Sequence, residues 1–426
     1  MHKNGSKIKL PSASNQIRIT PGSVRMLYTT VSEVTYVPST DPKQRWLREE
    51  LGLQFDPFEH LDAGADPHLP EYLIDHGAFA ALWGEWPSFL FAPPGGGKTA
   101  FRVRLMRACR VGEDGRRIFP VLFRPPRPSQ EGESVDEPAF FKALLHDTGA
   151  GLLFQLAYQP YRFLELPPDR RRDIRQTLEE TLPAPLPYYL LQLKDAGSLE
   201  PLAQAFDPTA RALPGEPLPS TIRHFCAVLS ENGHVARPAP APSPEEQFQQ
   251  TVQMLLQSLG YESVYLLVDG ADAYTQDSRW IPLILEPLLA RLRDFARQKV
   301  FLKFFLPDDV APFLEQNGRS LLTEPSKKII IQWDRDSLVA IIRDRLYVAS
   351  EGVYNGLEAI ASRDVPRPAE EYLAQFVNPV VPREIILLTR RVFTEHILRT
   401  GPYGRLERRD FEDAVRWYET QKRPPR

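Results

Sequence analysis

The sequence predicts an α/β protein, a doubly wound parallel sheet followed by a small helical lid. Three observations carry that expectation. Short apolar runs of strand character recur within 88–92, 117–125, 262–274, 299–309 and 327–334. Segments between them show helical apolar spacing, as in "DEPAFFKALLHDTGAGLLFQLAYQ" at 136–159 and "PLILEPLLARLRDFARQ" at 282–298. From residue 336 onward only helical patterns remain, among them "SLVAIIRDRLYVAS", "EEYLAQFV", "PREIILLTRRVFTEHILR" and "RRDFEDAVRWYET".

Composition sets the outer limits. A chain of 426 residues with 42% hydrophobic content can build two or three cored domains at about 150 residues each. The formal net charge of −3 and a pI near 6.3 exclude a general attraction to nucleic acid or anionic membrane, so any such contact requires a local patch. Cys109 and Cys226 lack metal-ligand or redox spacing and read as buried thiols of a reducing compartment, which predicts a cytoplasmic location. The start "MHKNGSKIKLPSASNQ" lacks the apolar stretch of a signal peptide, and no run reaches the roughly 18 apolar residues of a membrane span.

In chain order, residues 1–41 read as a flexible arm, with Lys3, Lys7, Lys9, Arg18 and Arg25 against Glu33. Residues 42–335 form the expected nucleotide domain. Its first part, 42–86, alternates short helical patterns with Asp-Pro turns. The strand "SFLFA" then enters "PPGGGKTA" and resumes as a helix at "FRVRL". Consecutive glycines let backbone N–H groups point inward at a phosphate chain, and the following helix adds its unpaired N-terminal donors.

The spacing fits the Walker A pattern G-x-x-x-x-G-K-[ST] from Ala92 to Thr99, with Ala92 in the place of the first glycine. Ala92, Pro93, Pro94, Gly95, Gly96, Gly97, Lys98, Thr99 and Ala100 are therefore the expected ATP-binding residues. Lys98 is placed to reach the β and γ phosphates, and the Thr99 hydroxyl to hold Mg²⁺. A glycine-rich turn with a solvated lysine is the alternative.

Pro160 to Pro244 is a proline-rich insertion on the rim, with two short apolar helical patches and an extended segment at 236–244. In "ESVYLLVDGADAY", Val264 to Val268 form a buried strand that delivers Asp269 to the ligand-binding edge of the sheet, where an acid can hold Mg²⁺ through its water shell opposite Thr99. Asp272 is placed to orient or deprotonate an attacking water; a turn aspartate is the plain reading of either acid. Residues 336–426 form the lid.

"FAPPGGGKTA" together with "YLLVDGADAY" resembles the P-loop NTPases of the AAA+ and STAND branch, and "VDGAD" is similar to the acidic motif of the STAND and NACHT proteins. The resemblance spans about residues 45–400 and is specific at the two Walker motifs. It implies a 5-1-4-3-2 sheet, Asp269 as the metal-associated acid and Asp272 as the catalytic one. "FDPFEHLDAGADPHLPEYLIDHGAFAALWG" resembles the entry segment of origin-recognition-like ATPases, which covers adenine. "PREIILLTRR" resembles the sensor-2 helix, which implies that Arg383 approaches the γ-phosphate. Arg319, in "QNGRSLL", occupies the place from which AAA+ relatives project an arginine into a neighbouring subunit.

The chain departs from these families in three places. Its fourth strand ends in Pro307 and Asp308 rather than a polar sensor, no glutamate follows Asp269, and no repeat array follows residue 400. Three functions fit: an ATPase switch acting through a homo-oligomer or partner protein, a DNA-associated loader, or a nucleotide-locked scaffold. Arg405 to Arg426 holds seven basic and five acidic residues, a net +2 that a solvated helix face explains as well as nucleic acid.

Overall fold

Five strands pair in parallel throughout, in the order β2-β3-β4-β1-β5: β1 is Ser88–Ala92, β2 Ile118–Phe123, β3 Ser263–Val268, β4 Val300–Pro307 and β5 Lys327–Ile330. The computed structural model describes residues 40–74, 76–213, 215–231, 242–275, 277–315 and 326–422; residues 1–39 of the expected N-terminal arm, 236–241 of the expected extended segment and Arg319 lie outside them. Residues from Thr40 onward form one compact unit.

Strand alternation sends successive side chains to opposite faces, and both faces are covered. Phe89 and Phe91 join one core with the long helix Glu137–Tyr158, and Phe89 stacks on its register partner Phe304 at 4.7 Å between centroids. Leu90 and Ala92 join the other core, under the loop helix Lys98–Val111. At the β5 edge Lys327 and Lys328 are exposed, charges that discourage pairing with a further strand.

Two local expectations change. Among the described residues the insertion holds five α-helices, Tyr161–Leu164, Pro168–Thr181, Leu186–Ala196, Glu200–Phe206 and Pro219–Glu231, rather than two short patches. Pro168, Pro187, Pro201 and Pro219 sit in first turns, where a missing amide hydrogen costs nothing. Leu178, Leu193, Leu202, Phe225 and Leu229 enter the same core as β1, so the insertion shares the sheet's interior. Conversely, the helix expected over 282–298 is broken into Ile281–Ile284, Glu286–Leu289 and Leu292–Arg297; Pro287, which lacks an N–H and opposes the Leu283 carbonyl, accounts for the first break.

The C-terminal helices Arg335–Ala349, Ala369–Phe376, Pro382–Thr400 and Arg408–Lys422 build a third core. Trp46, Leu47, Leu53 and Phe58 belong to it. Trp46 meets Phe393 edge-on at 5.1 Å and donates its indole N–H to the Gly404 carbonyl at 2.9 Å. The start of the expected nucleotide domain is thus packed into the helical part.

Candidate functional site

The turn between β1 and the loop helix takes its shape from glycine. Gly95 and Gly97 have φ of +77° and +93°, a region that disfavours any side chain, and the Gly96 amide donates to the Pro93 carbonyl at 2.9 Å. Lys98 and Thr99 are the first two residues of the helix, with Gly97 as its N-cap. Two neighbours hold the turn from outside. Trp333 donates its indole N–H to the Gly96 carbonyl at 2.9 Å, and the Arg383 amide donates to the Gly95 carbonyl at 3.3 Å. Pro382 opens the helix that carries Arg383, fixing its first turn against the loop.

A cavity of about 470 Å³ lies over this turn. Its lining includes Pro93 to Ala100, Asp269, Asp272 and Arg383, so residues from the glycine-rich turn, the end of β3 and the helix Pro382–Thr400 meet in one place. Ala92 is fully buried behind them and offers its carbonyl to the Lys98 ammonium at 3.2 Å. An apolar part of the wall comes from residues 61–74 and the helices Arg335–Ala349 and Pro382–Thr400, including Leu61, Leu69, Ile74, Ile341 and Ile386, and His60, Asp62, Arg102, Arg104, Arg124 and Arg345 add polar and charged groups.

Each acid faces a cation. Asp272 lies 3.8 Å from the Lys98 ammonium, a loose pair at a partly open site. Asp269 is held more tightly: its Oδ2 accepts from Arg102 Nε at 2.8 Å and its Oδ1 from the Gly270 amide at 2.9 Å. Each oxygen keeps a further lone pair, but a divalent ion at Asp269 would have to sit beside the Arg102 charge or displace it. Among the described residues no group of three or more His, Cys, Asp or Glu is arranged to hold a metal.

Sequence reasoning missed several cavity residues. Arg102 was signalled only by its spacing, four positions after Lys98 and so on the same helical face. Arg345 donates to the Pro57 carbonyl at 2.8 Å and pairs with Asp66 at 3.2 Å, fastening the entry segment to the helix Arg335–Ala349. Arg124, just beyond β2, lines the cavity while its amide donates to Asp147 at 3.3 Å. Burial pushes the Asp147 carboxyl up to about 7, against the lowering effect of that amide and of the Arg124 charge.

Cys109 and Cys226 are both buried and unbonded. No helix among the described residues is long and apolar enough to cross a membrane. Compared with protein families, with curated proteins and with solved structures, the chain finds no match.

Proposed function

We propose that this chain is an ATP-binding switch of the P-loop class, within its AAA+ and STAND branch. One observation carries the proposal: the glycine turn, Lys98, Asp269, Asp272 and Arg383 line a single cavity. The strand order supports it too, since β2-β3-β4-β1-β5 read from its other edge is 5-1-4-3-2.

The chemistry follows from the groups present. The Gly-rich turn and the unpaired amides of the loop helix form a positive recess for a phosphate chain. A triphosphate draws the Lys98 ammonium away from the Ala92 carbonyl and Asp272, and so frees the Asp272 carboxylate to orient a water. Arg383 sits on the loop through its backbone, placing its guanidinium-bearing side chain against the recess. A γ-phosphate that engages Arg383 therefore pulls the lid helix toward the turn, and its loss lets the helix relax. ATP and ADP then favour different lid positions, and that difference in affinity is what a switch needs. The apolar wall fits the base.

A homo-oligomer or partner protein would read the lid position. Mass photometry of the full chain with ADP, ATP and a slowly hydrolysed analogue, alongside calorimetry, tests the proposal. Nucleotide binding with an ATP-dependent change in assembly supports it; no binding of any adenine nucleotide rejects it.

A further inference from the structure

Arg102 lies one helical turn beyond Lys98, on the face that looks along the sheet edge to the tip of β3. Its side chain is 4% exposed and that of Asp269 16%, so the pair is formed largely out of water. Arg102 also lines the cavity, and its Nη1 has no hydrogen-bond partner among the described residues. Asp207, a buried acid of the insertion, pairs with Arg110 at 3.1 Å and lies within electrostatic reach of Arg102.

We propose that Arg102 is the resident counter-ion of Asp269 and takes over the charge-neutralising role of a divalent metal, so that this site binds ATP without requiring Mg²⁺. The proposal rests on the nucleotide-binding function above. An unpaired carboxylate beside a triphosphate repels it, and a metal ordinarily removes that repulsion. Here the guanidinium already does so. A cation that captured Asp269 would deprive a buried guanidinium of its hydrogen-bonded carboxylate and leave it only Asp207, which already pairs with Arg110. Arginine cannot lose its charge to escape that cost.

The test is ATP calorimetry on the full chain in excess Mg²⁺ and in EDTA, with Arg102→Leu and Arg102→Lys measured in parallel. The wild-type affinity is expected to differ by less than about tenfold between the two conditions. Arg102→Leu is expected to lose more than about tenfold in EDTA and to recover in Mg²⁺, with Arg102→Lys closer to wild type. Mn²⁺ titration of the nucleotide-free chain, followed by electron paramagnetic resonance, should show uptake by Arg102→Leu and none by wild type.

Wild-type affinity that falls more than about tenfold in EDTA overturns the inference and leaves nucleotide binding standing. So does Mn²⁺ uptake by the nucleotide-free wild type. Absence of ATP binding under both conditions overturns the nucleotide-binding function, and the inference with it. If Arg102→Leu does not fold, the two wild-type measurements still decide.

Discussion

Gly95 and Arg383 meet so closely that a methyl group added at Gly95 would come within 2.7 Å of the Arg383 Cβ. The glycine therefore serves two needs, a left-handed backbone and a flat surface on which the lid helix rests. Gly95→Ala is expected to destabilise the fold by about 1–3 kcal/mol, through a strained positive φ and displacement of the helix start. Urea unfolding measures the loss. Arg383→Ala, by contrast, should leave stability within about 0.5 kcal/mol and remove the difference between ATP and ADP in assembly or lid protection, read by hydrogen exchange.

Lys98→Ala should abolish tight ATP binding in a folded protein. The ammonium contacts the buried Ala92 carbonyl and one distant carboxylate, so its removal costs the fold a single hydrogen bond and no close ion pair. Charge-assisted bonds to phosphate contribute roughly 1.5–3 kcal/mol each, which corresponds to a loss of about tenfold to more than a hundredfold in affinity. Unchanged calorimetric affinity would show that the turn is not a phosphate cradle.

The two aspartates should separate cleanly. Asp272→Asn keeps the side chain's shape at a half-open site, so binding is expected to persist while turnover falls by at least about a hundredfold. Asp269→Ala leaves Arg102 buried without its partner and should cost about 3–5 kcal/mol of stability. Parent-like turnover in Asp272→Asn would remove its assignment as the water-orienting group, and parent-like stability in Asp269→Ala would refute the tight pair.

Asp147 makes the stability of this edge depend on pH. Its folded-state value of about 7 lies above the ordinary 3.8, so folding takes up a proton between those limits. The contribution is full below about pH 4 and is lost as pH rises through about 7. Asp147→Asn should therefore flatten the decline of stability between those values, measured as the difference between wild-type and mutant unfolding midpoints. Parallel profiles would show that the carboxyl is solvated.

The strands and their glycine turn were legible because apolar runs and Gly-Gly-Gly-Lys-Thr are local signals, and local signals fix strand and turn. Asp269 could be placed at a strand end for the same reason. Its pairing with Arg102 could not, because that contact joins two segments far apart in the chain. Lys303 is a second case: within "FLKFFL" it is fully buried, and its ammonium donates to the carbonyls of Gly84 and Trp86 at 2.7 and 2.8 Å. Periodicity marks such a residue as an interruption and says nothing about its acceptors. Prolines hid helices for another reason: at 168, 187 and 201 they sit in first turns, and composition alone does not separate a first turn from a break.

The contact between Trp46 and Phe393 also bears on how the chain is made. A ribosome releases residues 46–58 long before it reaches Phe393, which meets both Trp46 and Phe58 edge-on at 5.1 and 5.2 Å in the core they share. During translation those early side chains have no native cover, and a nascent chain halted before residue 385 keeps them bare to solvent and to other nascent chains. Such a chain invites chaperone capture at its beginning rather than at its growing end.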